Sequence, residues 1–308
     1  MVYKYKIMIY SYLKGRLGNI LFEIAAGASL AKRRNVPFKA LTCSPDIFGE
    51  PDNCSISEYV EQFRKSILRN IDFSNEYPEN QKVYQEQTFP YRPLPEENDI
   101  VLHGYFQSER YFEEEVVRNL FRIDTETLSY IRKKYGHILE RTPVSILVRR
   151  GDYLKLQFKH PVCQMSYYKK AMATFDSGSV FLIISDDITW CKKHFRGENF
   201  FFVDDEPPIV DLYLQSLCTH NIISNSSFGW WGAWLNPNPE KKIVCPTPWF
   251  APSGMKRDTR DLCPAIWKKE PIAGTIELYC RSYYSLAIIN AKILLHKIAT
   301  GIRKSFSL

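Results

Sequence analysis

None of the eight cysteines forms a C-x-x-C pair, and the six histidines lack the spacing of metal ligands. Those absences set aside zinc ribbons and thioredoxin-like redox sites. The thiols, several of them in apolar runs, read as reduced core residues. There is no G-x-S-x-G elbow for a hydrolase, and no G-x-G-x-x-G turn for a dinucleotide. No apolar run reaches the roughly 18–20 residues of a membrane-spanning helix. The start, Met1-Val2-Tyr3-Lys4-Tyr5-Lys6, lacks a signal-peptide core. The expectation is a cytoplasmic protein, in which the sequon-like Asn225-Ser226-Ser227 has no glycosylation meaning. Tandem repeats and low-complexity segments are also missing. The net charge of +7 is too mild and diffuse to point to nucleic acid. It suits an anionic ligand or an anionic membrane surface.

What is present is a chain of 308 residues, 45% hydrophobic and 14% aromatic, enough for one large domain or two ordinary ones. Its most informative stretch is Val144-Ser145-Ile146-Leu147-Val148-Arg149-Arg150-Gly151-Asp152-Tyr153. Five residues of buried-strand character break into two arginines, a glycine and an aspartate. In open α/β proteins such a strand end lies where ligands bind. The arginine fork suits phosphate oxygens, and glycine lets the backbone approach. The same residues could equally close the strand with an Arg–Asp pair.

The first half opens with a strand, Ile7 to Tyr12. The turn Lys14-Gly15-Arg16-Leu17-Gly18-Asn19 follows, then a helix ending at Lys32-Arg33-Arg34-Asn35, whose basic residues complement the helix dipole. Strand, glycine turn and helix is the geometry in which N–H groups meet an anion; a plain tight turn would use the same glycines. Residues 43–98, rich in proline, read as irregular insertions shaping an acceptor side, with one helix near Ile56–Leu68. Val101–Phe106 reads as a strand, Glu109–Leu120 as a helix, and Asp124–Leu139 as a second helix capped by Asp124 or Thr125.

From Thr142 the alternation is clean: strands at 144–148, 180–184, 200–203, 221–224 and 242–245, with helices between them. That pattern predicts a parallel sheet covered on both faces. The organisation expected is an acceptor-side α/β domain over 1–140, a nucleotide-binding α/β domain over 141–280 and an amphipathic helix over 281–308. On a wheel, Ala291, Leu294, Leu295, Ile298 and Ile302 share one face of that tail, and Lys292, His296, Lys297, Arg303 and Lys304 the other. Such a helix can lie on an anionic membrane; docking on the first domain is the preferred expectation.

Two further constellations follow strands. Ser185-Asp186-Asp187 can bind a base edge, a ribose or a metal, or cap the next helix. Asn225-Ser226-Ser227 precedes Phe228-Gly229-Trp230-Trp231-Gly232-Ala233-Trp234-Leu235 and offers hydroxyls and free N–H groups to a phosphate, or an ordinary N-cap. The aromatic run itself reads as core. Val203-Asp204-Asp205-Glu206 reads as a solvent-facing acidic cluster.

Taken in order, Gly15-Arg16-Leu17-Gly18-Asn19, Gly104-Tyr105-Phe106-Gln107, Arg149-Arg150-Gly151-Asp152-Tyr153, Ser185-Asp186-Asp187 and the segment Asn225–Leu235 resemble glycosyltransferase family 11, the bacterial α-1,2-fucosyltransferases. The resemblance runs from about residue 9 to 250. It implies two Rossmann-like domains of GT-B type and an inverting, metal-independent transfer from GDP-β-L-fucose to O2 of a galactose-type acceptor. GDP-fucose would be a substrate, and no cofactor is implied. A lipid-linked acceptor and peripheral contact with the inner membrane surface fit the basic tail.

By position, Arg149 would contact the diphosphate, Asp152 orient the arginines or act as the base, and Arg150 support Arg149 in donor binding. Asn19, with Gly15, Arg16 and Gly18, would approach the donor. Asn225, Ser226 and Ser227 would hold phosphate, and Asp186 or Asp187 the nucleoside. The chain departs from the family at Leu147, where histidine is usual, and at Ile20 and Glu23, where glutamine is. Those departures admit two alternatives: another GDP-hexose donor, or a catalytically weak GDP-sugar-binding partner protein. Glu23 is an additional candidate base.

Overall fold

A computed structural model describes residues 7–43, 54–253 and 257–305. Met1–Lys6, residues 44–53 of the expected insertion, 254–256 and the extreme tail from Phe306 lie outside them.

The first sheet is built from β1 (Ile9–Tyr12), β2 (Phe38–Leu41), β3 (Phe73–Ser74), β4 (Lys82–Gln85) and β5 (Ile100–His103). All its pairings are parallel, in the order β3-β2-β1-β5-β4. Helix α1 (Leu17–Arg34) crosses over it; α2 (Cys54–Glu61) lies in the insertion. The insertion is therefore not irregular: it holds α2, β3 and β4. The last two are short and polar because they sit at the sheet's edges, where one flank meets solvent.

The expected helix 109–120 is broken. A 3₁₀ turn, Glu109–Tyr111, gives way to an extended Phe112, and α3 (Glu114–Leu120) then begins. Phe112 is drawn out of the helix because its ring packs between Trp231 and Trp234, at 5.4 and 5.2 Å. Helix α4 (Thr125–Leu139) starts as expected, with the Asp124 carboxylate accepting from the N–H of Thr127 at 2.8 Å.

The second sheet comprises β6 (Val144–Val148), β7 (Phe181–Ser185), β8 (Phe200–Phe202), β9 (His220–Ile222), β10 (Ile243–Thr247) and β11 (Lys268–Pro271). Between them run α5 (Met165–Met172), α6 (Ile188–His194), α7 (Pro208–Leu217) and α8 (Ser227–Trp234). The order β11-β10-β9-β6-β7-β8 is the doubly wound arrangement, read from one edge as three strands out, then three back. Its direction reverses between β6 and β9, so a crevice opens beyond Val148 and Ile222. The first sheet reverses between β1 and β5, which places the turn after Tyr12 and the segment after His103 at its own crevice. Two Rossmann-like domains of GT-B type are thus present.

The two units share one apolar cluster. Phe22 of α1 lies 4.5 Å from Trp230 and 4.8 Å from Trp231 of α8, and all three are buried. Helix α8 is apolar around its whole circumference because it is buried between the domains. The terminal helix α9 runs Thr275–Ser305. Among the described side chains it docks on the second domain and not, as expected, on the first: Leu278 enters the cluster that holds Ile146, Phe181 and Ile183, while Ile298 and Ile302 lie outside the described side chains.

Candidate active site

The two crevices face each other and form one cleft of about 1060 Å³. That is ample for a nucleotide sugar. Arg16, Gly18, Asn19, Tyr105 and Gln107 line it from the first domain; Arg149, Asp152, Asp186, Asn225, Ser226 and Ser227 line it from the second.

Asn19 ties the sides together. Its Oδ1 accepts from Gln107 Nε2 and from Ser227 Oγ, both at 2.8 Å. The Gly18 carbonyl accepts from Trp231 Nε1 at 2.9 Å. Glycine is needed at 18 because a Cβ would stand 2.5 Å from the backbone nitrogen of Phe228. Gly15 sits at φ +81 and leaves room for the Asn19 side chain.

Arg149 is held by two carboxylates. Its Nη2 meets Asp152 Oδ1 at 2.6 Å and its Nη1 meets Asp186 Oδ2 at 2.8 Å, while the guanidinium lies over the Tyr153 ring. The N–H of Arg150 donates to Asp186 Oδ1 at 2.8 Å, which fixes that carboxylate. Gly151 makes the approach possible: a Cβ there would lie 2.6 Å from Asp186 Oδ2. Arg150 itself, with Gly15 and Asp187, does not line the cleft. Its Nε donates to Asp187 Oδ2 at 3.0 Å, and its guanidinium covers Trp190 at 3.9 Å. Asp187 caps α6 through the N–H of Trp190.

Asn225 borders the cleft, but its amide hydrogens go to the carbonyls of Pro161 and Trp249, both at 3.0 Å. It shapes the β9–α8 loop. Ser226 is the N-cap residue of α8, with no capping bond from its side chain, and it lines the cleft together with Ser227. Leu147 also lines the cleft, and α8 accommodates it with a glycine, since a Cβ at Gly229 would come within 2.4 Å of Leu147 Cδ2. Glu23 is fully buried, accepts the N–H of Lys14 at 3.0 Å and lies outside the cleft lining. Its candidacy as a base ends there.

Sequence reasoning missed a second carboxylate region. Beyond β7 and β8 the cleft offers an apolar slot lined by Ile184, Ile188, Val203, Pro208 and Phe228, with Asp205, Glu206 and, on α7, Asp211 also in the lining. Burial, reinforced by the charge of Glu206, pushes the Asp211 carboxyl up to about 7. No hydrogen bond reaches that carboxylate from any described residue. The signal was a lone acid in the otherwise apolar run Pro208-Ile209-Val210-Asp211-Leu212-Tyr213-Leu214. Glu206, expected to face solvent, instead accepts from Lys134 and from Tyr135 Oη at 2.7 Å. Burial opposes its charge, but those bonds and one from Tyr130 hold it below the usual carboxylate range. Among the described residues, no three His, Cys, Asp or Glu stand together as metal ligands would, and no helix is long and apolar enough to cross a membrane.

The family model for glycosyl transferase family 11 matches residues 6–261. An alpha-1,2-colitosyltransferase of Escherichia coli is 29% identical over 84% of this chain and 98% of its own length. The O-antigen biosynthesis glycosyltransferase WbnK of Escherichia coli is 29% identical over 82% and 98%. The mouse (Mus musculus) galactoside 2-alpha-L-fucosyltransferase Sec1 is 35% identical over a shorter stretch, 30% of this chain and 28% of its own.

Proposed function

The chain belongs to glycosyl transferase family 11, and from that premise we propose an inverting, metal-independent transfer of L-fucose from GDP-β-L-fucose to O2 of a galactose-type acceptor. The acceptor is a surface-polysaccharide or oligosaccharide precursor, lipid-linked at the cytoplasmic face of the inner membrane. The observation that carries the reading is Arg149, fixed by Asp152 and Asp186 at the switch point of the second sheet and facing the start of α8. As the bond from sugar C1 to the β-phosphate breaks, negative charge grows on the departing GDP. A guanidinium already oriented by two carboxylates meets that charge without reorganising. Ser226 and the first N–H groups of α8 supply the remaining donors, while the Ser227 hydroxyl, donating to Asn19, holds that helix start beside the phosphates. Asn19 brings the glycine turn against the same phosphates. The Arg149 guanidinium and these O–H and N–H donors take the role a divalent cation would have at the phosphates, so EDTA should leave transfer intact; loss restored by added metal would overturn that part.

Asp186 is committed to Arg149, and Asp187 to Arg150 and α6. The nucleoside therefore passes to the apolar slot, where Asp211 accepts from guanine N1–H and its amino group. Two donors on one base edge match the two oxygens of a carboxylate.

A second reading keeps the chemistry and changes the sugar. Leu147 puts an aliphatic side chain on the cleft wall, and a colitosyltransferase is among the relatives. A panel of GDP-sugars, offered to the purified protein with a galactoside acceptor, separates the two. Turnover with GDP-fucose alone supports the first reading and turnover with another GDP-hexose the second. GDP binding with no turnover on any donor defeats both.

A further inference from the structure

Helix α9 changes character along its length. In its first turns Leu278, Ser282 and Ser285 are buried against the second domain, and Ser282 Oγ accepts the N–H of Ser253 at 3.2 Å. These three positions fall on one side of the helix. Tyr283, Tyr284, Ala287, Ala291, Leu294 and Leu295 fall on the other, roughly 170° away at 3.6 residues per turn. Their exposure follows: Tyr284 is 71%, Leu294 60% and Leu295 65% accessible. From Ala291 to Lys297 every residue is exposed. The apolar face thus points away from the body of the protein and cannot close onto the first domain without unwinding the helix's own attachment.

Charge selects what covers that face. Lys292 flanks it on one side and Lys297 on the other, while Arg281, nearer the body, is paired with Glu277 at 2.9 Å. From Leu278 to Leu308 the chain carries five Lys and Arg residues and no Asp or Glu. A second copy of the helix would bring like charge against like, because its one acid, Glu277, lies in the first turn and is already paired with Arg281. An anionic surface has the opposite requirement: apolar depth to receive the aliphatic face, and negative headgroups along its margins.

We propose that α9 is a peripheral membrane anchor, laying its Tyr283–Leu295 face into an anionic lipid surface while Leu278, Ser282 and Ser285 hold the catalytic body to it. The inference stands apart from the identity of donor or acceptor. If the acceptor is lipid-linked, the anchor confines the cleft to the plane in which that acceptor diffuses.

The test is flotation of the full-length protein with vesicles of phosphatidylglycerol and phosphatidylethanolamine, and separately with pure phosphatidylcholine. The wild-type protein should float with the anionic vesicles, and high salt should release much of it. The double variant Leu294→Glu/Leu295→Glu should bind at least about tenfold more weakly, with unchanged melting temperature and GDP affinity. Lys292→Glu/Lys297→Glu should lose the salt-sensitive part. Failure of the wild-type protein to float, or equal binding to phosphatidylcholine, overturns the proposal. So does a lipid-free dimer that the leucine variant dissolves.

Discussion

Asn19 and Ser227, 208 residues apart in the chain, meet through a single 2.8 Å hydrogen bond that joins the switch points of both sheets. The same Asn19 oxygen also accepts from Gln107, so one amide fixes three loops that start from different strands. The cleft floor is therefore assembled only when both domains are folded against each other.

Replacing Asn19 by alanine leaves two donors facing an empty position. Each partly buried bond of this kind contributes about 1 kcal/mol. Asn19→Ala should lose about 1–3 kcal/mol of stability in urea unfolding. Transfer should fall at least about tenfold as Ser227 rotates away. Wild-type values for both would show that the bridge has no mechanical role.

Arg149→Ala should lower kcat by about 100-fold or more, the usual cost of removing one preorganised charge-stabilising donor. Arg149→Lys should recover little, because an ammonium cannot meet Asp152 and Asp186 through a fork while facing phosphate. Steady-state kinetics with GDP-fucose measures both, and near-normal turnover by the lysine variant would refute the proposed clamp.

Gly151→Ala tests the geometry behind that arginine. The added methyl would overlap Asp186 Oδ2, displacing the carboxylate that holds Nη1. GDP affinity should drop about tenfold, while thermal stability changes by less than about 2 kcal/mol, because the site is at the surface. Calorimetric titration with GDP reads the effect, and unaltered affinity would detach Asp186 from donor binding.

Asp211 predicts a pH dependence. Its carboxyl, raised to about 7, ionises as pH rises through neutrality, and only the ionised form accepts both guanine donors. GDP affinity should therefore increase between pH 6 and 8, and Asp211→Asn should flatten that slope. The variant should also lose the preference for GDP over IDP, which lacks the amino group. The same shift works against the empty protein. With its folded pKa above the reference value of 3.8, Asp211 contributes stability below pH 4 that is lost as pH rises through about 7. A pH-independent GDP affinity would falsify the assignment of Asp211 to the base.

The second sheet was largely legible because its inner strands are buried on both faces and spell continuous apolar runs, such as Val180–Ile184. Three of the four edge strands have no such signature: β3 is only Phe73-Ser74, β4 opens on Lys82 and β11 reads Lys268-Lys269-Glu270-Pro271. At the site, Arg149, Asp152, Asn19 and Ser227 could be found because chemistry sits directly after strands. Asp211 could not, since a residue inside a helix reaches the cleft only through the way α7, the crossover from β8 to β9, packs against β6 and α8. The Arg150 side chain, expected at the donor, lies outside the cleft lining for the opposite reason. Adjacent arginines look equivalent in a sequence, but successive residues leave a strand end in different directions, and Trp190 and Asp187 capture the second.

The seam between Phe22 and Trp230–Trp231 has a consequence during synthesis. When α1 leaves the ribosome, its apolar partner has not yet been made. Trp231 donates to Gly18, 213 residues earlier, and at 5–20 residues per second the gap lasts about 10–40 s. Throughout that interval the first domain carries Phe22 and its neighbours uncovered. The nascent chain is then most open to chaperone capture and misassembly, and α8 ends that exposure when it emerges.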